Sequence, residues 1–359
     1  MRIGILTYHR SHNYGALLQA YALKEYISSL EKDVCFIDYW PHYHQEMYAL
    51  WKPSQFRKAS IMGKIRMLLI YLLFSWKRKR RMVLFERFIA KYILPLASVD
   101  DRFDLVVYGS DQIWRYQDHA SYKGYNPVYF GDKTITSKSK ISYAASMGVI
   151  KLSEKDRSQL SDWLLNLDMI SVREEDLRDA IRPLTSKDIR LVVDPVFLLP
   201  QDSWKSIMSP RQRKGRYILS YNLQLNSLTR QVAKMVGEKM RLPIVEIKGG
   251  IYLFDSDGKR SMVGPCEFLS WIYYSDCVVS SSFHGIAFSV LFEKHFYATL
   301  ERNAGRVRSL LSRIGLESRI VSDCDAFTMK DFSYEGRGRL LADCIADSKH
   351  YLDTCVGLI

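Results

Sequence analysis

The sequence predicts an α/β protein with two parallel sheets, each flanked by helices, that face each other across a cleft. Short apolar strand patterns alternate with helical patterns along almost the whole chain, which favours parallel sheets. The 359 residues suit two domains of ordinary size. A polar stretch at 209–215 separates two such alternating series. We therefore expect two Rossmann-like domains facing a cleft.

The elements of each series follow from hydrophobic periodicity. In the first series we predict strands at 3–8, 34–39, 105–108, 141–145, 169–172 and 191–193, and helices at 14–30, 154–167 and 174–181. In the second we predict strands at 217–221, 244–247, 277–280 and 295–298, and helices at 227–240, 266–274, 285–292 and 306–314. We assign residues 1–195 to an N-terminal domain and 196–325 to a C-terminal domain. Residues 326–359 form a predicted helical tail that packs back on the first domain.

Composition narrows the class of protein. Hydrophobic residues make up 47% of the chain and charged residues 25%, as in globular proteins with a substantial core. Six scattered cysteines form no CxxC pair and no metal-ligand spacing, so we expect reduced thiols and no metal site. The first residues enter a strand directly, without the apolar region of a signal peptide. We expect a cytoplasmic protein.

The positive charge is concentrated in an insertion at 57–92. Eleven basic residues against one acid give this insertion +10 of the net charge of +13. An apolar run at 67–74 precedes Trp76 and the basic cluster 77–81, and it is shorter than the ~20 residues that a spanning helix needs. This pattern is typical of an amphipathic helix on an anionic membrane surface. The alternatives are a helix pair packed on the core with solvated charges, or a nucleic-acid patch. No recognised nucleic-acid module accompanies the cluster, so we expect no nucleic-acid partner.

The turn at 280–285 is the first of four candidate site loops. An apolar strand, 277–279, ends in three serines, and Phe283, His284 and Gly285 then open a helix. Ligands of open α/β sheets bind beyond the carboxyl ends of strands, and a helix N-terminus favours anions. His284 is therefore a candidate titratable group beside a bound anion. The alternative is a capping serine and a packing histidine.

Three further loops follow predicted strands. In the first, Asn13 is a candidate N-cap beside Gly15, and the alternative is a helix cap without further function. The turn at 109–114 suits sugar recognition, because an aromatic ring packs on a sugar while carboxylate and amide groups bind hydroxyls; the alternative is an Asx-turn with a core tryptophan. Arg173 follows a third strand and suits bidentate binding of carboxylate or phosphate, the alternative being a salt bridge to a neighbouring glutamate.

Several common catalytic motifs do not occur. The sequence has no GxGxxG, no GxxxxGK[ST], no HExxH and no GxSxG. NAD or FAD binding, P-loop ATPase activity, zincin-type proteolysis and a nucleophile elbow are therefore not predicted.

Taken together, five segments resemble the polysaccharide pyruvyl transferase family. In order along the chain they are 13–23 (NYGALLQAYAL), 109–114 (GSDQIW), 170–175 (ISVREE), 193–197 (VDPVF) and 280–285 (SSSFHG). The resemblance covers about residues 2–315 and leaves out the insertion and the tail after 325. It implies a fold like the two-domain GT-B glycosyltransferases. It also implies transfer of a pyruvyl group from phosphoenolpyruvate onto two hydroxyls of one sugar, giving a cyclic ketal and phosphate.

The resemblance and the residue chemistry together give the candidate site. His284 matches the donor-site histidine of the family and Arg173 the arginine that holds phosphoenolpyruvate. A second histidine that some members have in the first domain has no clear match, and Ser146 stands in the nearest region. We expect His284 and Asp111 to be catalytic. The predicted donor-binding residues are Arg173, Ser282, Phe283 and Gly285, and the predicted acceptor-binding residues are Asn13, Tyr14, Gln112, Trp114 and Ser146.

The expected partners follow from this chemistry. Phosphoenolpyruvate is the co-substrate, and we predict no other cofactor. We expect the acceptor to be a surface-polysaccharide unit on a lipid carrier, and the basic insertion to hold the enzyme at the membrane. Two alternatives remain at this point: a GT-B glycosyltransferase that uses a nucleotide sugar, and a membrane- or nucleic-acid-binding protein without enzymatic activity.

Overall fold

The computed structural model describes residues 1–49, 53–119, 121–222, 226–248, 258–300, 305–329, 333–336 and 338–357, and of residues 53–55 only the backbone. Parts of the predicted C-terminal tail, at 330–332, 337 and 358–359, lie outside these residues.

The first sheet is parallel and is built from the N-terminal part of the chain. The elements of this part are β1 (Arg2–Leu6), α1 (Tyr14–Ser28), β2 (Asp33–Ile37), α2 (His42–Tyr48), α3 (Pro53–Lys58), α4 (Ile61–Phe88), β3 (Leu96–Ala97), β4 (Arg102–Tyr108), β5 (Gln117–Asp118), β6 (Lys123–Gly124), β7 (Thr136–Ser142), α5 (Glu154–Leu164), β8 (Ile170–Val172), α6 (Glu175–Ile181) and β9 (Ile189–Leu191). Strands β5 and β6 form a separate antiparallel pair. The first sheet has the strand order β3-β2-β1-β4-β7. Bridges at Ile141–Met169 and Ala145–Val172 continue it to β8, which pairs in parallel with β9.

The second sheet is also parallel. Its elements are α7 (Gln201–Ile207), β10 (Ile218–Asn222), α8 (Ser227–Met240), β11 (Ile244–Lys248), β12 (Lys259–Arg260), α9 (Pro265–Tyr273), β13 (Cys277–Ser280), α10 (Phe283–Leu291), β14 (His295–Thr299), α11 (Gly305–Arg313), β15 (Ile320–Val321) and the last helix, α12 (Gly338–Gly357). Its strand order is β12-β11-β10-β13-β14-β15. Short 3₁₀ helices lie at Pro127–Phe130, Arg182–Leu184, Pro195–Phe197 and Glu317–Arg319.

The two sheets share one topology. In each, the strand order runs outward from a central strand, reverses, and continues on the other side, as in a Rossmann fold. The reversal lies between β1 and β4 in the first sheet and between β10 and β13 in the second. The predicted fold class of two Rossmann-like parallel α/β halves is confirmed, and the predicted strands and helices agree with those observed to within a few residues. Loops at these two reversals are where an open α/β sheet binds its ligands.

Aromatic side chains contribute to the contacts between the two halves. The Tyr14 ring at the start of α1 stacks on Phe268 of α9 with centroids 4.6 Å apart, and the Tyr14 hydroxyl donates to the Val263 carbonyl at 3.0 Å. Helix α12 lies on the first half. Its Tyr351 hydroxyl donates to the Ser142 carbonyl at 2.9 Å, and Tyr26 donates to Asp353 at 2.8 Å. The domain limits at 195 and 325 stay predictions.

The basic insertion forms one long helix, α4, which ends in a π-helical turn at Ile89–Ile93. Phe85 and Phe88 near its end are buried in the main core, beside α1 and α9. None of the residues 61–76 is buried. Among the described residues, no helix is both long enough and apolar enough to cross a bilayer.

Candidate active site

A cavity of about 200 Å³ lies where the two strand-order reversals face each other. Its walls come from both halves of the chain. Tyr8, Ser11 and Asn13 follow β1, and Asp111, Gln112 and Arg115 follow β4. From the second half come Ser281–His284, after β13, and Arg306 at the start of α11. Because both reversals contribute, the cavity combines the ligand-binding edges of two Rossmann-like domains.

Helix α10 presents its N-terminus to this cavity. Ser282 is its N-cap, but the Ser282 side chain makes no capping hydrogen bond. The first-turn N–H groups of a helix have no partner within the helix, and they carry the positive end of its dipole. His284 lies in this first turn with 9% of its side chain exposed. The end of α10 therefore offers an anion both backbone donors and an imidazole.

A buried carboxylate lies behind His284. Asp194, which caps the 3₁₀ turn after β9, is fully buried, and its Oδ2 atom is 3.4 Å from His284 Nε2. The same oxygen accepts from Arg173 Nη1. Burial raises the pKa of Asp194, but the charges of His284 and Arg173 outweigh this effect and lower it to about 2. The Asp194 carboxylate is therefore ionised near neutral pH, and it lies within 3.4 Å of the His284 imidazole.

Arg173 lies at the centre of a buried ionic cluster. Besides Asp194, it is 3.7 Å from Glu174 and 3.8 Å from Asp111, and only 2% of its side chain is exposed. Burial lowers its pKa, but the three carboxylates more than compensate, so the net change is upward. The guanidinium also lies 4.5 Å from the centre of the Phe283 ring. These contacts join β8, the turn after β4 and the start of α10 in one charged network.

Two other arginines line the cavity. Arg306, at the start of α11, has 28% of its side chain exposed and lies 4.0 Å from Asp111. Burial and the nearby Arg173 charge lower the pKa of Arg306. Arg115 lines the same cavity from the loop after β4. Together they give the cavity two accessible cations.

Asp111 has an unusual backbone conformation. Its φ is 71°, in the left-handed region, and Gly109 two residues earlier has φ 132°. Asp adopts this region more readily than most residues, because its short polar side chain bonds locally. The turn brings the Asp111 side chain, 14% exposed, towards both Arg173 and Arg306. Non-glycine residues held in this region cluster at functional sites.

A second histidine also reaches the cavity, and sequence reasoning missed it. His44 of α2 is 3% exposed, lies 4.4 Å from the Tyr8 ring by centroids, and is 3.2 Å from the Ser11 hydroxyl. Burial lowers the pKa of His44 to about 4, so its imidazole is neutral near pH 7. No motif marks His44 in the sequence, because only the packing of α2 against Tyr8 brings it to the cavity. Arg306 was also missed, although the rule that predicts His284 applies to it. Arg306, too, is a polar residue that follows a strand and lies at the start of a helix.

A larger cavity, about 1070 Å³, adjoins the first. The two cavities share Gln112, Arg115 and Arg306. The larger one adds aromatic side chains and basic side chains on its rim: Tyr116, Tyr122, Tyr125, Trp163, Lys123, Lys151 and Lys155. A ligand that fills both cavities would contact the catalytic candidates at one end and this aromatic surface at the other.

Six of the predicted site residues line the small cavity. They are Asn13, Asp111, Gln112, Ser282, Phe283 and His284. Asn13 also caps α1, because its side chain accepts from the Gly15 and Ala16 amides. Asn13 therefore both caps α1 and lines the small cavity.

Two aromatic residues predicted to bind the acceptor are core residues instead. Tyr14 is 1% exposed and stacks on Phe268, so it joins the two halves of the chain. Trp114 is fully buried, stacks on Phe130 at 4.9 Å and donates to the Tyr129 carbonyl at 2.9 Å. The turn after β4 directs Trp114 into the core of the first half. Neither residue is in the described lining of the two cavities, and the prediction that they bind the acceptor stays a prediction.

Ser146, Gly285 and Arg173 also lie behind the cavity wall. Ser146 is buried and donates to Glu174. A β carbon at Gly285 would be 2.6 Å from the Ser280 hydroxyl, so this glycine is needed for packing. Arg173 is enclosed by carboxylates and is absent from the described lining of the small cavity. The predicted contacts of these three residues with a ligand stay predictions, and the cations among the described lining of the small cavity are Arg115 and Arg306.

The fold and the cavity define a class of protein: an α/β protein with an arginine-lined cavity between two Rossmann-like halves. The chain belongs to the polysaccharide pyruvyl transferase family, whose family model matches residues 13–300. Membership assigns the protein, in general terms, to the pyruvyl transferases of polysaccharide biosynthesis. The resemblance drawn from the five sequence segments is confirmed.

The chain is also similar to solved structures of other proteins. The UDP-N-acetylglucosamine 2-epimerase from Rickettsia bellii is similar at 10% identity and a TM-score of 0.39, covering 100% of this chain and 99% of its own. No curated protein matches the sequence. Among the described residues, no group of three His, Cys, Asp or Glu side chains has the arrangement of a metal site.

Proposed function

We propose that the protein transfers the pyruvyl group of phosphoenolpyruvate to two hydroxyls of one sugar, with a cyclic ketal and inorganic phosphate as products. The observation that best supports this function is the His284–Asp194 pair, which lies at the wall of a cavity with two accessible arginines. Phosphoenolpyruvate has two anionic groups on three carbons. A small cavity with two cations and a helix N-terminus matches that charge pattern.

The donor binds through charges that are accessible. Arg306 and Arg115 pair with the phosphate and the carboxylate, and the first turn of α10 adds backbone donors from the Ser282–His284 side. Arg173 acts indirectly. It holds Asp194 and Asp111 in place while its own charge is already balanced. Arg173 is thus a positioning residue.

The acceptor enters through the larger cavity. Its aromatic side chains suit the apolar faces of sugar rings, and Gln112 lies where the two cavities join. We propose a surface-polysaccharide unit on a lipid carrier as the acceptor. The sugar that receives the ketal would then sit at the junction, with Asp111 and Gln112 beside its hydroxyls.

The proton balance gives His284 its role. The methylene carbon of phosphoenolpyruvate gains one proton and becomes a methyl group, while its C2 atom is attacked in turn by two sugar hydroxyls. Each hydroxyl loses a proton, the bond from C2 to the phosphate oxygen breaks, and phosphate leaves with the second proton. His284 delivers and accepts protons during these steps, with Asp194 stabilising its charged form, and Asp111 takes a hydroxyl proton. Such acid–base catalysis contributes about 10²–10⁴-fold in rate.

The test uses phosphoenolpyruvate labelled with ¹³C at all three carbons and a lipid-linked oligosaccharide extract of the source cells. We expect one new ketal carbon in the glycan for each phosphate released. His284→Ala lowers both by about 10²–10⁴-fold, whereas the exposed His350→Ala leaves both unchanged.

Two results would contradict the proposal. Release of a nucleoside diphosphate from a nucleotide sugar, without phosphate from phosphoenolpyruvate, would favour the glycosyltransferase alternative. Equal phosphate release by wild type and His284→Ala would remove the histidine from the reaction.

A further inference from the structure

Helix α4 has two segments with different surroundings. Residues 77–88 are fixed to the protein: Lys77, Phe85 and Phe88 are buried, and Glu86 lies 2.7 Å from His12. Residues 61–76 contain no buried side chain. At about 1.5 Å per residue, this outer segment is roughly 24 Å long.

The outer segment exposes large apolar side chains on one face. Ile61, Ile65, Leu68, Leu72 and Trp76 recur at spacings of three and four residues, and all are exposed. Met62, Leu69 and Leu73 lie beside this row, so the apolar face spans about 140° at 100° per residue. Exposure reaches 78% at Ile61 and 71% at Leu72. Contiguous exposed apolar surface of this kind marks an interaction site in a soluble protein.

Basic residues follow on the same face. Lys79 and Arg80, both exposed, continue the apolar face by one helical turn. The outer segment itself has only Lys64 and Arg66 as charged residues. An apolar face that ends in a basic cluster matches the hydrocarbon boundary and the anionic headgroups of a bilayer.

A second copy of the chain is a poorer match. The stretch 57–92 contains eleven basic residues and one acid, and a copy would bring the same excess of positive charge. Glu86, the one acid, is already engaged with His12. Charge complementarity therefore favours an anionic surface over self-association.

We propose that residues 61–76 of α4 insert into the interface of an anionic lipid bilayer, and that Lys79 and Arg80 bind its headgroups. The helix lies flat and does not span. Docking also orients the cleft, because the fixed segment of the same helix packs beside the loop that lines the small cavity. Arg81 of this segment lies 5.4 Å from the Tyr14 ring. His12, which contacts Glu86 of the segment, lies 5.7 Å from the ring of Tyr48, a cavity residue. A lipid-anchored substrate would thereby meet the cleft at the membrane surface.

The test is co-sedimentation of the full-length protein with vesicles of phosphatidylcholine, with and without phosphatidylglycerol. Neither substrate is present, so the result does not depend on the proposed reaction. We expect wild type to bind the anionic vesicles more tightly than the neutral ones. Leu69→Glu/Leu72→Glu should weaken binding to anionic vesicles at least about tenfold. Lys79→Gln/Arg80→Gln should reduce the difference between the two vesicle types.

The matched control is Leu165→Glu/Leu340→Glu, which makes the same charge change at exposed leucines away from α4. It should bind like wild type, and all variants should keep the wild-type circular dichroism and thermal midpoint. Equal vesicle binding by Leu69→Glu/Leu72→Glu and its control would overturn the proposal. Two other results, each without vesicle binding, would also overturn it. One is a dimer in sedimentation velocity that Leu69→Glu/Leu72→Glu abolishes. The other is binding of a short DNA duplex.

Discussion

The His284 imidazole of the second half lies directly against Gly15 of the first half, with no space for a β carbon at residue 15. Gly15 is in the first turn of α1, and its neighbour Asn13 caps that helix and lines the small cavity. The two halves of the cleft therefore meet at the proposed acid–base residue. The position of His284 depends on the closeness of α1 as well as on its own helix.

Gly15→Ala tests this contact. The added methyl group would overlap the imidazole and displace it from Asp194, and a displacement of about 1 Å can cost 10²-fold in rate. We expect kcat to fall at least about 100-fold in the phosphate-release assay. Gly338→Ala is the control, because a β carbon there meets no atom within 4 Å. Normal turnover by Gly15→Ala would mean that His284 need not occupy this position.

Arg306→Ala should weaken donor binding. A hydrogen bond to a charged group contributes about 1.5–3 kcal/mol, so KM for phosphoenolpyruvate should rise about 10- to 100-fold. Arg308, exposed on the same helix, provides the matched Arg308→Ala control. Initial rates at varied phosphoenolpyruvate measure the effect. If both variants have the wild-type KM, the donor does not use Arg306.

Arg173→Met should act mainly on stability. Removing this guanidinium leaves the buried carboxylates of Asp194 and Glu174 without their partner, a change that costs about 3–5 kcal/mol. Urea unfolding measures the loss. A fall in donor affinity larger than that of Arg306→Ala, with unfolding free energy unchanged, would restore Arg173 as the direct donor ligand.

Asp194→Asn tests whether this carboxylate acts through His284. We expect kcat to fall by about 10²–10⁴-fold, with an altered pH profile, because the imidazolium loses its counter-charge. In a His284→Ala background the same substitution should have little further effect on kcat. Equal losses in both backgrounds would give Asp194 a role of its own.

Acid should destabilise the protein below about pH 6.5. Burial lowers the pKa values of His9 and His44 to about 4, against about 6.5 in an unfolded chain. Between these values the unfolded chain binds more protons, so stability is full above pH 6.5 and is lost as the pH falls towards 4. His44→Gln should flatten the slope of unfolding free energy against pH in this window, and His350→Gln, at an exposed position, should not. The same slope in all three proteins would contradict a buried neutral His44.

The sequence patterns predict the sheets better than the side-chain environments. Alternating periodicity is enough for two parallel sheets, and the rule for strand ends is enough to bring Asp111 and His284 together. The same rule cannot tell which side of a turn faces solvent, and so Trp114 is predicted in the cleft although it packs on Phe130. The residue type of Arg173 predicts an anion partner. Glu174 is the neighbouring glutamate of the alternative interpretation. That Asp111 and Asp194 are also partners depends on tertiary packing of three separate segments.

The central claim is that phosphoenolpyruvate binds in the small cavity beside His284. A crystal structure of the protein soaked with phosphoenolpyruvate tests this claim most directly. We predict density for one molecule there, with its anionic groups on Arg306 and the first turn of α10 and its methylene carbon facing His284. The account would be contradicted if phosphoenolpyruvate bound elsewhere. It would also be contradicted if the cavity bound only a nucleoside diphosphate under the same soaking conditions.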